Sequence, residues 1–178
     1  MARTTQRDWL AAGLRIVRTD GAGGLTIERL TAALKLTKGS FYHHFGGWAD
    51  YKTALLHFFE HADTLHVMQV VEQEPTPAAK LKRLFAIVTG EPLDLEAAMR
   101  AWALQDAEVR AMQSRIDTQR IAYVQALCTE LLGDSARAEV AGMLAYAVLV
   151  GGAQIQPPLS LAMLRQLFAE FQRLYGID

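Results

Sequence analysis

Apolar positions recur at helical spacing along almost the whole chain, and no segment keeps strand-like alternation for long. Leu10, Leu14 and Val17 make one face of a first helix over about residues 7–20. Gly21-Ala22-Gly23-Gly24 stops it, because glycine accepts the backbone angles that a chain reversal needs. Thr26 is a good N-cap for a second helix, with Ile27, Leu30 and Leu34 facing inward and Glu28 in its first turn. Thr37 caps a third, in which Phe41 and Phe45 lie four apart on one face. The distance from Leu34 to Thr37 leaves room only for a tight turn. Longer helices are expected over residues 49–71, 78–89, 95–105, 106–132, 136–151 and 160–175. The breaks fall at Glu74-Pro75-Thr76-Pro77, Pro92, Gly133-Asp134 and Gln156-Pro157-Pro158. The pattern predicts an all-α chain. A three-helix helix-turn-helix domain (1–48) precedes a roughly six-helix domain (49–178), with no internal repeat or low-complexity tract.

Composition changes this picture little: of 178 residues, 51% are hydrophobic and 21% charged, as in ordinary globular chains. No run of about 18 uncharged apolar residues exists, so no helix is expected to span a bilayer, and the start, Met1 to Asp8, lacks the apolar centre of a secretion signal. One cysteine, Cys128, rules out an internal disulfide and suits a reducing interior, so a cytoplasmic location without membrane association is expected. Charge matters more. The net value of -1 hides a split. Residues 1–52 carry eight cations (Arg3, Arg7, Arg15, Arg18, Arg29, Lys35, Lys38, Lys52) against four acids, which gives +4 and leaves -5 on the remainder. A basic head on an acidic body suits phosphate binding by one end.

The third helix carries the informative chemistry. Thr37-Lys38-Gly39-Ser40-Phe41-Tyr42-His43-His44-Phe45 packs lysine, serine, tyrosine and two histidines into one short segment. These side chains supply donors and acceptors for base edges, glycine lets the backbone approach a groove wall, and N-terminal helix amides favour a nearby phosphate. This segment, with Leu25-Thr26-Ile27-Glu28-Arg29-Leu30 before it, resembles the DNA-binding domain of the TetR (tetracycline-repressor-like) family of one-component regulators. The resemblance covers about residues 7–56. It implies a phosphate contact for Thr26, a major-groove position for Lys38, Gly39, Ser40 and His43, and phosphate or groove-edge contacts for Tyr42 and His44. Phe41 and Phe45 are then the buried anchors, and Thr37 caps the reading helix. Two positions depart from the family pattern. Lys35 stands in the turn where glycine is usual, at a cost of roughly 1 kcal/mol if it takes positive φ. Gly46-Gly47-Trp48 replaces a stretch that often holds a phosphate-gripping lysine. Either the Trp48 indole donates instead, or Lys52 reaches back one turn, or Trp48 merely packs between head and body. The alternative for the whole motif is a structural helical corner.

One head holds a single half-site weakly, so a homodimer on a palindromic double-stranded operator is expected. Ala138, Gly142, Ala145, Leu149 and Gly152 form a stripe of mostly small residues, and Leu161, Leu164, Phe168, Phe171 and Tyr175 a bulky one. Together they read as a dimer interface of two helices per subunit, the form the resemblance implies, or else as packing within one chain. Candidate effector contacts are His61, Leu65, Met68, Leu84, Val88, Met99, Trp102, Gln105, Met112, Gln119, Tyr123 and Met143. Their methionine and tryptophan content points to an apolar or aromatic small molecule, and each also reads as plain core. His57 and His61, at i,i+4, admit a metal-binding protein or enzyme as the alternative. Gly23-Gly24 is no phosphate loop, since no strand precedes it, and no cofactor is expected. The leading expectation is a non-enzymatic, ligand-responsive regulator, acting as a repressor. The further rival is a DNA-architectural protein indifferent to sequence.

Overall fold

The structure is a computed structural model that describes residues 4–177. Arg3, one of the head cations counted above, lies outside the described residues together with Met1, Ala2 and Asp178. All regular structure among the described residues is helical. The helices are α1 (Gln6–Asp20), α2 (Ile27–Leu34), α3 (Lys38–His44), α4 (Trp48–Glu60), α5 (His66–Val71), α6 (Pro77–Val88), α7 (Asp94–Ala103), α8 (Ala107–Leu132), α9 (Ser135–Gln154) and α10 (Leu161–Tyr175). Packing divides the chain elsewhere than at residue 48. Among the described residues, one compact unit comprises residues 4–62 and 94–113, the other residues 63–93 and 114–177.

In the first unit, α1 touches α2, α4 and α7. Its N-terminus closes with a capping box between Thr5 and Asp8, and its inner face buries Trp9, Leu10, Ala12, Ile16 and Val17. The closest approach is at Gly13. The Tyr51 hydroxyl of α4 lies 2.0 Å from where a β-carbon on residue 13 would stand, and it donates to the Trp9 carbonyl at 3.1 Å. A side chain on residue 13 would therefore drive α4 from α1. Burial pushes the Tyr51 phenol well above its ordinary value, so it stays a neutral donor.

The second unit is built around a cluster in which Leu81, Leu84 and Phe85 of α6 meet Val124, Leu127 and Cys128 of α8. Ala138, Ala141 and Ala145 of α9 and Phe168 and Phe171 of α10 complete it. Phe85 stacks on Phe168 with centroids 4.4 Å apart and meets Phe171 edge-on at 5.4 Å. Burial raises the Cys128 thiol to about 11, which leaves it protonated and inert as packing. By length and composition α9 is apolar enough to cross a membrane, contrary to the reading that no segment is, but 44% of the relevant stretch is buried inside the fold. Its buried face packs on α8 and α10.

The single helix expected over residues 49–71 is interrupted. Between α4 and α5, His61–Leu65 form a π-helical turn. Arg120 of α8 is bonded to that turn: its Nε donates to Thr64 Oγ1 at 3.0 Å, and Nη2 donates to Asp63 Oδ2 at 2.7 Å and to the Asp63 carbonyl at 3.2 Å. Periodicity does not report such a wide turn, because the apolar pattern on either side stays helical.

Gly13→Ala is expected to lower stability by about 1–3 kcal/mol through overpacking, despite the gain of roughly 1 kcal/mol in helix propensity. Tyr51→Phe is expected to cost about 1 kcal/mol. With the hydroxyl gone, the nearest atoms to a residue-13 β-carbon are Leu55 Cδ1 at 3.1 Å and the ring Cζ at 3.2 Å. The double variant should thus be more stable than the sum of the two singles allows, and urea denaturation measures that coupling. Strict additivity would show that the two groups do not interact.

Candidate nucleic-acid interface

Thr26 and Thr37 occupy the N-cap positions of α2 and α3. Thr26 Oγ1 accepts from the Arg29 amide at 3.2 Å, and Thr37 Oγ1 accepts from the Ser40 amide at 3.3 Å. Each hydroxyl keeps its own proton for an outside acceptor. Between the helices Lys35 ends α2 in the left-handed region, at φ 56° and ψ 43°. Its amide donates to the Ala32 carbonyl at 3.2 Å, and the Leu36 amide donates to Thr31 at 2.9 Å. This pair of bonds turns the chain sharply from α2 into α3.

Behind α3 lies an aromatic floor. Phe41 is fully buried, with its ring 5.6 Å edge-on from Trp9, 5.3 Å from Phe45 and 5.4 Å from Tyr51. Phe45 meets Tyr51 edge-on at 5.0 Å. At the far end, the side-chain amide of Gln6 donates to the His44 carbonyl at 2.7 Å, which ties the last turn of α3 to the start of α1. A seven-residue helix has little stability of its own, so these contacts hold it. They leave Lys38, Gly39, Tyr42 and His43 exposed, with Ser40 and His44 half-buried. Of the lysine, serine, tyrosine and two histidines expected on one exposed arc, Lys38, Tyr42 and His43 are exposed while Ser40 and His44 are half-buried, and Phe41 and Phe45 lie buried behind them.

The flanking candidates separate. Lys35 is exposed at the turn. Trp48 begins α4 with 37% of its surface exposed and its ring 5.6 Å from Tyr51. Lys52 does not reach back. Only 17% of its side chain is exposed, and its ammonium sits 2.7 Å from Asp106 Oδ2 and 3.0 Å from Glu108 Oε2, at the start of α8. Burial works to lower the Lys52 value, but the hydrogen bonds to Asp106 and Glu108 outweigh it and leave the value raised. Those same bonds hold the Asp106 and Glu108 carboxyls below their ordinary range. The expected phosphate role of Lys52 is therefore corrected to a lock between α4 and the α7–α8 corner. One feature that sequence reading missed is the pairing of Lys38 with Glu28, whose carboxylate accepts from the lysine ammonium. No spacing rule links a residue in one helix to one in the next.

The effector candidates farther along the chain fall in both compact units. Met99, Trp102 and Met112 are core of the first unit, where His61 and Gln105 are exposed. In the second unit Leu84 is core, Met68, Val88 and Tyr123 are half-buried, and Leu65, Gln119 and Met143 are exposed. Tyr123 donates to Glu72 Oε1 at 2.7 Å. Among the described residues, no three His, Cys, Asp or Glu side chains gather as a metal site, His57 and His61 included. The expected dimer stripes also turn inward. Ala138, Gly142, Ala145 and Gly152 are buried within the chain. A β-carbon on Gly142 would stand 2.5 Å from Gln125 Cγ, and one on Gly152 would stand 2.7 Å from Leu164 Cδ2. Leu164, Phe168 and Phe171 are buried as well, and Leu149, Leu161 and Tyr175 are half-buried. Small residues let α9 approach α8 and α10 of its own chain, which is the packing reading of that stripe.

Residues 10–50 match the family model for bacterial regulatory proteins of the tetR family. Among solved structures, NemR from E. coli in its reduced form superposes with a TM-score of 0.80 at 17% identity, covering 96% of this chain and 97% of that one. SCO4454, a TetR-family transcriptional regulator from Streptomyces coelicolor, gives 0.79 at 15% identity, with 96% and 87% covered. FadR from Bacillus subtilis, solved in complex with stearoyl-CoA, gives 0.62 at 13% identity, with 93% and 96% covered. At these identities the likeness establishes a TetR-like fold. No curated protein matches at the level of sequence.

The lock at Lys52 makes a pH-dependent prediction. Folding lowers the Asp106 and Glu108 values from 3.8 and 4.5, so their contribution is complete above about pH 4.5 and fades as pH falls through the lowered values. Lys52→Met is expected to destabilise the protein by about 1 kcal/mol at pH 7, with the difference from wild type shrinking below about pH 4 in thermal melts. A gap that stays constant into acid would show that packing of the lysine stem, not its charge, carries the effect.

Proposed function

We propose that this chain, a TetR-like fold whose head matches the tetR family of bacterial regulatory proteins, is a homodimeric transcriptional repressor released from its operator by a small molecule. The observation that carries the reading is α3: a short helix anchored from behind by Phe41 and Phe45, with Lys38, Gly39, Tyr42 and His43 exposed on its outer arc. Such a helix reads base edges in the major groove, while Thr26, Thr37, Lys35, Tyr42 and His44 serve phosphates and Trp48 offers its indole N–H. The place of action is the cytoplasm, with the DNA.

A dimer supplies two heads for two half-sites about 34–36 Å apart. The surface that fits a second copy is not the buried small-residue stripe. It is the outward rows Val140, Met143 and Leu144 on α9 and Met163, Leu167 and Leu174 on α10, large apolar residues that the fold leaves exposed. Met143 and Leu144 follow Val140 by three and four residues, and Leu167 and Leu174 follow Met163 by four and eleven, spacings that keep each set on one helix face, so two copies can pack α9 and α10 as a four-helix arrangement. The effector is an apolar or aromatic molecule taken up by the helical body. By binding the released conformation more tightly than the DNA-bound one, it shifts the population toward release. The neighbour solved with stearoyl-CoA supports a ligand of apolar character.

A mobility-shift assay against the protein's own upstream DNA and unrelated duplexes tests the reading. A preference of about 10³-fold or more is expected; equal affinity for all duplexes would overturn it in favour of an architectural role. His43→Ala should change which sequence is preferred. A uniform loss of affinity would remove His43 from the base-reading set. Leu144→Glu should convert the dimer to a monomer in analytical ultracentrifugation and abolish tight binding to the two-half-site operator.

A further inference from the structure

We infer that Glu28 and Lys38 act together as the reader of one G·C base pair in each half-site. The inference rests on the proposed DNA-binding reading and deepens it. Glu28 is the second residue of α2 and Lys38 the first of α3, and the lysine ammonium donates to Glu28 Oε1, so the bond joins the N-terminal ends of the two helices. Both side chains are exposed, at 65% and 59%, so neither is fixed there by burial. The pair stands at the N-terminal end of the reading helix, the end that meets base edges in helix-turn-helix proteins.

An acid on a surface that approaches phosphates opposes binding unless it has a partner and a task. Lys38 supplies the partner. The hydrogen bond from Lys38 holds the Glu28 carboxyl below its ordinary value, so it is ionised and can only accept. The task follows from what the pair has left to offer. The ammonium keeps two further donors beside the carboxylate, whose second oxygen still accepts. In the major groove a G·C pair shows guanine N7 and O6, both acceptors, followed by the cytosine N4 amino donor. Two donors followed by an acceptor complement that row. An A·T pair shows adenine N7 and then the N6 amino group, so the ammonium would meet a donor in second place. Each reader is also held by the other, so less side-chain freedom is lost on docking.

Selection of bound duplexes from a random-sequence pool, followed by competition binding, tests this with the full-length protein. Wild type is expected to enrich a motif with a G·C pair in each half-site. Glu28→Ala should reduce the preference at that pair by about tenfold or more and leave the other positions as they were. Lys38→Ala should alter the same pair. Glu28→Gln, which is nearly isosteric, should move the preference toward A·T, because glutamine pairs with adenine N6 and N7. If Glu28→Ala changes only the overall affinity, the carboxylate merely screens charge or favours the start of α2, and the inference falls. It also falls if the two residues govern different base pairs. A wild-type protein that enriches no motif would overturn the regulatory reading itself, a result distinct from either.

Discussion

The geometry of the head depends on how closely α4 lies against α1, and one side-chain vacancy sets that distance. At Gly13 the absence of a β-carbon lets the Tyr51 hydroxyl reach the Trp9 carbonyl, which places the Tyr51 ring among Phe41, Phe45 and Trp48. Without that ring the aromatic floor beneath α3 would lack its centre, and a helix of this length cannot hold a direction unaided. A contact within the core thus decides where the exposed arc of α3 points. Rigid support from behind is the common requirement of a recognition element, since its donors must meet fixed positions on the duplex.

How much of this was legible in sequence depends on the distance over which each signal acts. Thr26 and Thr37 as caps, the turn at Lys35 and the buried pair Phe41 and Phe45 are local features, and each is found as the residue types implied. The π-turn at His61–Leu65 was not legible, because its bonds come from Arg120 on α8, far along the chain. The stripe of Ala138, Gly142 and Ala145 was legible as a close helix contact but not as a contact with which partner. Small residues permit approach without naming what approaches, and here it is α8 of the same chain. The exposed Val140, Met143 and Leu144 carry the more telling signal, which appears only once the inward face is known.

The charge of the head shows a similar limit. Counting cations suggested a broadly basic surface, yet Arg29 is paired with Asp20, Lys38 with Glu28, and Lys52 with Asp106 and Glu108. These pairs do different work. The Lys52 group is largely enclosed and joins helices within the first unit, whereas the Lys38 pair stands in the open where the groove would be. Net charge says that a surface attracts phosphate; the pairing says which cations are committed to the fold.

Lys35 brings these themes to a single residue. Its left-handed backbone is one that a glycine or asparagine adopts with less strain. Replacing it would relax the turn by roughly 1 kcal/mol and in the same step remove a positive charge beside the reading helix. Under the proposed DNA-binding role, stability and affinity are set against each other at this position. A lineage selected only for heat resistance would be drawn to lose the lysine, while one selected for tight operator binding would be drawn to keep it.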